Sequence, residues 1–256
     1  MQSLGSLARN IKPNRNIVEE EHNLKCEKCG NTYDYYKFSN GKEFRHGCDC
    51  SMIQAGKEAE QQRKQKYLNR IFNQSNVNAS LRDATVKSYQ PQNDHQVHAK
   101  STAIEYMKGF SVDEPKSLIL QGSYGTGKSH LAYAIAKAIK QQGYSVAFMH
   151  IPMLMERIKA TYNRNATETT DELVQLLSSI DLLVLDDVGV ENNEHTLNKL
   201  FSIVDNRVGK NNIFTTNFSD KELNQNMNWQ RINSRMKQNA RTVRVLGEDF
   251  RGRDAW

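Results

Sequence analysis

Gly122, Gly127, Lys128 and Ser129 stand at the fixed points of a G-x-x-x-x-G-K-S pattern inside LILQGSYGTGKSHLA, residues 118–132. Glycine lets a backbone curl without a Cβ clash, so that several N–H groups converge on one point. A helix starting just after the loop aims its positive end at the same point. A loop of this build binds the phosphates of ATP or GTP. Ser123, Tyr124, Gly125 and Thr126 supply the rest of the cradle. Lys128 is placed to reach the β- and γ-phosphates, and the Ser129 hydroxyl to ligate Mg²⁺.

Three further groups could work with such a loop. LLVLDD, residues 182–187, is an apolar run ending in two carboxylates. The first, Asp186, is positioned to hold Mg²⁺ through its water shell; the second, Asp187, to orient an attacking water. Solvated acids in a strand-end turn are the plainer alternative. IFTTN ends at Asn217, where a polar side chain can help place that water; an Asn in a turn is the alternative. RINSRM sets Arg231 and Arg235 four residues apart, hence on one helical face, and EDFRGRDAW adds Arg251 and Arg253. An arginine from a neighbouring subunit can stabilise charge on a transferring phosphoryl group; a basic face meeting nucleic acid or water competes with that role. His130, His150 and His195 read as structural.

All four cysteines fall in one short stretch, as Cys26-x-x-Cys29 and Cys48-x-Cys50. In an intracellular chain such pairs suit a tetrahedral Zn²⁺ better than disulfides. The second pair is tighter than the usual spacing, so His46 and His22 stand as substitutes for a cysteine that points away. Four free thiols in a disordered arm is the competing reading. Tyr33, Tyr35, Tyr36 and Phe38 lie between the pairs and form either a small core or an interface.

These groups need elements to hold them. From about residue 99, apolar strand patterns alternate with helical ones. Strands are expected at 117–121, within 144–151, at 181–187, within 212–217 and at 241–246. Helices are expected near 99–109, 128–141, after Pro152 (with Leu154, Ile158 and Tyr162 on one face), at 172–180, 195–208 and 228–238. Alternation of this kind predicts an α/β fold with a parallel sheet covered on both faces. Residues 51–73 are rich in helix formers, with apolar residues only at the end (Tyr67, Leu68, Ile71, Phe72), which predicts a solvated helix docking its last turns. Residues 1–23 read as polar and mobile, and 74–95 as a linker. The expected division is 1–54 as a zinc-binding domain, 55–95 as a helical connector and 96–256 as the nucleotide-binding domain.

The chain has 256 residues, of which 38% are hydrophobic, enough for one good core but not two large ones. Its net charge of +6 permits nucleic-acid binding without requiring it. No apolar run reaches the roughly 18 residues of a membrane helix, and the first residues lack an apolar signal core. A cytoplasmic protein without membrane contact is expected.

Taken in order, YLNRIF, GSYGTGKSHLA, LLVLDDVG, IFTTNF, RINSRM and the terminal DFRGR resemble the DnaC/DnaI-type replicative helicase loaders, an AAA+ ATPase branch close to the initiator DnaA. The resemblance spans roughly residues 65–256, and the chain's size also suits phage-encoded relatives. It implies a P-loop AAA+ ATPase using ATP and Mg²⁺. Lys128 and Ser129 match the Walker A loop, and Asp186 and Asp187 the Walker B pair. Asn217 falls at sensor 1, Arg235 at the arginine finger with Arg231 beside it, and Arg251 at sensor 2. The implied partners are a DnaB-type replicative helicase, single-stranded DNA and further copies of the chain in an ATP-dependent ring or spiral. The cysteines look like the DnaI side, whose N-terminal domain contacts the helicase. Asp187 departs from the usual Glu and is one methylene shorter, which implies slow hydrolysis. Two alternatives stay open: an ATP-binding regulator of DNA transposition, whose relatives generally lack the knuckle, and a non-hydrolysing adaptor switched by ATP.

Overall fold

The computed structural model describes residues 16–74, 79–163, 168–190 and 193–250. The chain divides into two compact units, one up to residue 64 and one from residue 65.

The first unit is a three-stranded antiparallel sheet of β1 (Ile17–Lys25), β2 (Thr32–Phe38) and β3 (Glu43–His46), in that order, followed by the start of α1 (Cys50–Gln74). The β2–β3 hairpin lies between the two cysteine pairs. β1 corrects the reading of residues 1–23 as a polar arm. Its run IVEEEHNLK buries neither face, and it is ordered by its ladder to β2. Residues Tyr33 to Phe38 are all half-buried, so the aromatic cluster is neither closed core nor open patch.

The second unit contains the end of α1, then α2 (Ala79–Arg82), α3 (Asp94–Lys108), β4 (Ser117–Gln121), α4 (Lys128–Gln141), β5 (Val146–His150), α5 (Ile151–Ala160), α6 (Thr170–Ser179), β6 (Leu182–Asp186), α7 (Glu194–Asp205), β7 (Asn211–Thr216), α8 (Asp220–Leu223), α9 (Met227–Met236) and β8 (Ala240–Arg244). The five strands form one sheet in the order β5-β6-β7-β4-β8, each neighbouring pair parallel. The expected strand–helix alternation is therefore present.

Strand side chains alternate between faces, and two apolar clusters follow that alternation. Leu118, Leu120, Leu182, Val184 and Ile213 pack with α4 residues Leu131, Ile135 and Ile139 on one face. Ile119, Leu183, Leu185 and Phe214 pack on the other with residues of α5, α6, α7 and α9 such as Leu154, Leu177, Leu200 and Ile232. Both faces being covered explains why β4, β5 and β6 read as nearly continuous apolar runs.

Leu68 and Phe72 of α1 are buried while most of the helix is exposed, as expected of a helix that docks only its last turns. Composition suggests a linker at 74–95, but Ala84, Val86 and Tyr89 are buried in the second apolar cluster. Sparse apolar residues among polar ones hide such packing from a periodicity search. α3 also starts earlier than predicted, where the Asn93 side chain accepts from the Gln96 N–H, a cap contributing about 1 kcal/mol. Tyr162 lies beyond α5 and is exposed.

Arg207 is almost completely buried and donates to Asn212 Oδ1 at 2.6 Å, Leu177 O and Ile180 O at 2.8 Å and Asn211 O at 2.6 Å. It ties the end of α6 to the start of β7. Burial lowers its pKa to about 10, so the guanidinium stays charged and satisfied.

Among the described residues, no helix is long and apolar enough to cross a membrane.

Candidate functional site

All five strands of the larger sheet point the same way, so the chain leaves β4, β5, β6 and β7 at one edge. Ligands bind at that edge in open parallel sheets. It carries Gly122 to Ser129, His150, Asp186, Asp187 and Asn217.

The glycine-rich loop runs from β4 into α4. Gly127 is the residue before the helix, at φ 87°, and offers no side chain to its first turn. The first-turn N–H groups are therefore left for a ligand, as phosphate binding requires. A Cβ on Gly127 would come within 2.5 Å of the Tyr89 ring. Tyr89 also donates its hydroxyl to Thr126 O at 2.9 Å, bracing the loop from outside. Inside it, Thr126 Oγ1 donates to Ser123 O at 2.9 Å, and Lys128 Nζ donates to the same oxygen. Lys128 is 5% exposed, an ammonium held in the cradle where a phosphate would sit. Tyr124 is open to solvent. Residues 245–250 lie against the loop: Val245 N–H donates to Gln121 O at 2.8 Å and Phe250 N–H to Gly125 O at 3.1 Å.

Asp186 ends β6 as a buried carboxylate. Its Oδ1 accepts from Thr215 Oγ1 at 2.6 Å, and the Ser129 hydroxyl also hydrogen-bonds it. Burial raises its pKa against those bonds. A buried carboxylate with that penalty, beside a serine hydroxyl, fits a divalent cation that would offset it. The two halves of the predicted Mg²⁺ site are thus brought together.

Asp187 has a left-handed backbone at φ 59°, which costs a non-glycine residue about 1–2 kcal/mol. In a continuing strand Asp187 would face away from Asp186; the left-handed turn brings both carboxylates to one side. Acceptor atoms of Asp186 and Asp187 and a ring nitrogen of His150 lie within 4.8 Å of one another. The turn is held by Asp187 N–H donating to Thr215 Oγ1 at 3.0 Å. Asp187 Oδ1 accepts from Asn217 Nδ2 at 3.3 Å, and its Oδ2 lies 2.9 Å from His150 Nε2. The His150 bond holds the Asp187 carboxyl below the usual range, and the same bond raises the imidazole against its burial.

His150, read from sequence as structural, stands at this edge bonded to Asp187. Its tie to Asp187 follows from the register of β5 on β6, which sets His150 beside Asp186. Sequence spacing carries no trace of that register. Thr215 is missed for the same reason, and Tyr89 because it packs back onto the loop from a segment that reads as a linker.

Arg235 and Arg231 share α9. Arg235 Nε pairs with Asp205 Oδ1 at 2.6 Å, with both side chains partly exposed. The Arg231 guanidinium lies 4.3 Å from the Phe201 ring centre. Neither contacts the phosphate loop of its own chain through a described bond. Arg251 and Arg253 lie outside the described residues.

In the first unit the four cysteines converge. Their sulfurs all lie within 4.8 Å of one another, with Cys29 Sγ and Cys48 Sγ 3.6 Å apart. Ligands on a tetrahedral zinc with bonds near 2.3 Å sit about 3.8 Å apart. The turn after Cys26 is closed by Gly30 N–H to Cys26 O at 2.8 Å and Cys26 N–H to Asn31 O at 2.9 Å. The backbone N–H of Cys29 leads the groups that lower the Cys26 thiol to about 6, and the Cys29 sulfur leads those that push Cys50 up to about 12. A cluster that favours one thiolate and opposes the next lacks positive charge, so the donor set fits Zn²⁺. His22 is turned instead to Glu20 at 3.0 Å and Asp34 at 3.4 Å. The cluster is formed by cysteines alone, without His22 or His46.

Comparison with known proteins follows this geometry. The family model for IstB-like ATP binding protein matches residues 51–255. The replicative helicase loader DnaC of Escherichia coli (strain K12) is 32% identical over 132 residues, which is 52% of this chain and 53% of that protein. The uncharacterized protein YdaV of the same organism is 31% identical over 157 residues, 59% of this chain and 60% of its own. The chain thus spans about half the length of the curated relatives it matches. The crystal structure of the DnaC helicase loader overlays 65% of this chain and 99% of its own, with TM-score 0.58 and 26% identity. The DnaI crystal structure overlays 68% and 94%, with TM-score 0.57 and 22% identity, a likeness of fold.

Proposed function

The chain belongs to the family of IstB-like ATP binding proteins, and from that membership we propose that it is an ATP-dependent loader of a ring-shaped, DnaB-type replicative helicase onto single-stranded DNA. One observation carries the reading: Lys128, Ser129, Asp186, Asp187 and Asn217 stand at one sheet edge in a chain that resembles DnaC in both sequence and fold.

The chemistry is hydrolysis of the β–γ phosphoanhydride. Loop N–H groups of residues 122–129 hold the phosphates, and Lys128 turns from Ser123 O to the β- and γ-phosphates. Ser129 and Asp186 would hold Mg²⁺, which would supply positive charge to offset that of the phosphates. Asn217 and Asp187 place a water in line with the γ-phosphorus. The water oxygen bonds to that phosphorus, the bond to the β-phosphate oxygen breaks, and the water's proton passes to Asp187. ADP and phosphate leave. Arg235 of a neighbouring copy stabilises the transferring group, with Arg231 beside it and Arg251 acting on the γ-phosphate from its own chain. Copies therefore assemble through ATP into a ring or spiral.

In this reading residues 1–54 grip the helicase, 55–95 connect and, through Tyr89, brace the loop, and 96–256 form the ATPase. Cys26, Cys29, Cys48 and Cys50 hold a structural Zn²⁺, since four thiolates leave no open position for catalysis. Single-stranded DNA meets Lys and Arg side chains of the ATPase, so its binding weakens steeply with salt.

The test is size-exclusion chromatography with light scattering of the chain mixed with its host's or phage's replicative helicase, with and without ATP. A stoichiometric complex is expected, lost when zinc is removed by chelation or by Cys26→Ser with Cys29→Ser. No complex in any nucleotide state would overturn the loader reading. A complex indifferent to zinc would overturn the knuckle's part in it.

A further inference from the structure

We propose that Tyr89 is a positioning residue for the nucleotide: its hydroxyl turns one peptide of the phosphate loop so that the Gly127 N–H faces the phosphates. This inference rests on the nucleotide-binding reading above and deepens it.

Tyr89 donates its hydroxyl to Thr126 O at 2.9 Å. That oxygen and the Gly127 N–H belong to one peptide unit, trans like the other peptides of the described residues. A trans peptide is planar, with its C=O and N–H on opposite sides. Drawing the Thr126 oxygen toward Tyr89 therefore drives the Gly127 N–H away from it. Tyr89 is packed behind the loop, in the apolar cluster that includes Leu131 and Ile135 of α4. The side away from it is the cradle, where the N–H groups of such a loop meet the phosphates. Without the hydroxyl, the Thr126 oxygen would face an apolar cluster with no donor. Turning it into the cradle would then set a carbonyl dipole against the phosphates. The preceding peptide is held likewise, with Gly125 O accepting from Phe250 N–H at 3.1 Å.

Packing alone would be met by a phenylalanine. Tyr89 and Thr126 are both buried, and a buried hydroxyl or carbonyl is costly unless bonded. Burial pushes the Tyr89 hydroxyl up to about 12, so it keeps its proton and remains a donor at neutral pH. The donor is itself anchored. Lys100 Nζ donates to Tyr89 O at 2.6 Å. His130 Nε2 lies 2.9 Å from Thr85 O, and its ring tilts against that of Tyr89 with centres 5.7 Å apart. With a carbonyl as acceptor, Nε2 carries the proton. His130 follows Ser129 in the first turn of α4, so the helix that the loop opens into also holds the segment that carries Tyr89. Tyr89 touches no reacting atom in this arrangement; it acts through the Thr126–Gly127 peptide.

The test compares Tyr89→Phe, which keeps the ring and removes the donor, with Val86→Ala, which loosens the same buried segment and leaves the hydroxyl. Affinities for ATP and ADP with Mg²⁺ are measured by calorimetry on the full chain, together with steady-state hydrolysis and the ¹H–¹⁵N signal of the Gly127 amide. Lys128→Ala is the control for the site. Tyr89→Phe should weaken ATP and ADP alike by about five- to tenfold, since both carry the phosphates that the loop holds. KM should rise by a similar factor while kcat stays within about twofold. The wild-type Gly127 amide should shift when ADP binds, and shift less in Tyr89→Phe. Val86→Ala should keep wild-type affinity. Unchanged affinity in Tyr89→Phe would overturn the proposal. So would an equal loss in Val86→Ala, which would mark a packing role, or a wild-type Gly127 amide that ignores ADP. A wild-type chain that binds no ATP, or binds it regardless of Lys128→Ala, instead fails the nucleotide-binding reading and takes this inference with it.

Discussion

At the scale of single residues, the site is a set of polar groups gathered where a phosphate and a cation would bind. Lys128 is the clearest case. Its ammonium is 5% exposed and donates to Ser123 O, a neutral acceptor where an anion would serve better. Lys128→Ala should weaken ATP binding by about a hundredfold or more, because charge-assisted bonds to two phosphates are lost at once. The fold should persist, since the neighbouring Leu131 and Ile135 remain packed in the core. Titration calorimetry against ATP checks this, with circular dichroism for the fold; wild-type affinity in a folded variant would refute the phosphate-loop assignment. Residue types and spacing make Lys128, Ser129, Asp186 and Asp187 legible from sequence, because each sits at a fixed distance from a glycine or a strand end. His150 and Tyr89 are not legible. They reach the site through strand register and through a segment packed back across the loop, and one-dimensional spacing encodes neither.

At the scale of elements, the parallel sheet is legible because both its faces are buried, which writes LLVLD and SLILQ as apolar runs. β1 is not, because a strand ordered by its ladder to β2 has no buried face to impose a period of two. The segment 245–250 is another feature only the fold reveals. It leaves β8 and lies on the phosphate loop. A Cβ on Gly125, at φ 68°, would stand 2.9 Å from Asp249 Cα and closer still to its carboxylate. Gly125→Ala therefore meets backbone, which cannot swing aside as a flexible side chain would. The substitution should lift residues 245–250 from the loop and destabilise the unit by about 1–2 kcal/mol through the left-handed strain alone. Hydrogen exchange reads this directly: the Phe250 N–H, bonded to Gly125 O at 3.1 Å, should lose protection while the β4–β7 ladder keeps its own. Unchanged protection at Phe250 would mean the segment is held from elsewhere.

At the scale of the whole molecule, the arginines pose the question that one chain cannot answer alone. Arg235 is paired with Asp205 on a partly exposed surface, and Arg231 stacks on Phe201. An exposed ion pair contributes at most about 1 kcal/mol, so Arg235 can exchange Asp205 for a γ-phosphate on a neighbouring copy at little cost. Two defects should then complement each other. Lys128→Ala cannot bind ATP but offers an intact Arg235, whereas Arg235→Ala binds ATP but offers no finger. Each alone should be nearly inactive as an ATPase. Mixed, a subunit with an intact loop can lie beside one with an intact finger, so the mixture should regain a substantial fraction of wild-type hydrolysis. The recovery should rise with total protein concentration, as a property of assembly must. A finger acting within its own chain predicts a different result: the mixture would show only the sum of two inactive proteins at every concentration. That outcome would remove the trans role of Arg235 and, with it, the reason for ATP to join subunits at this face.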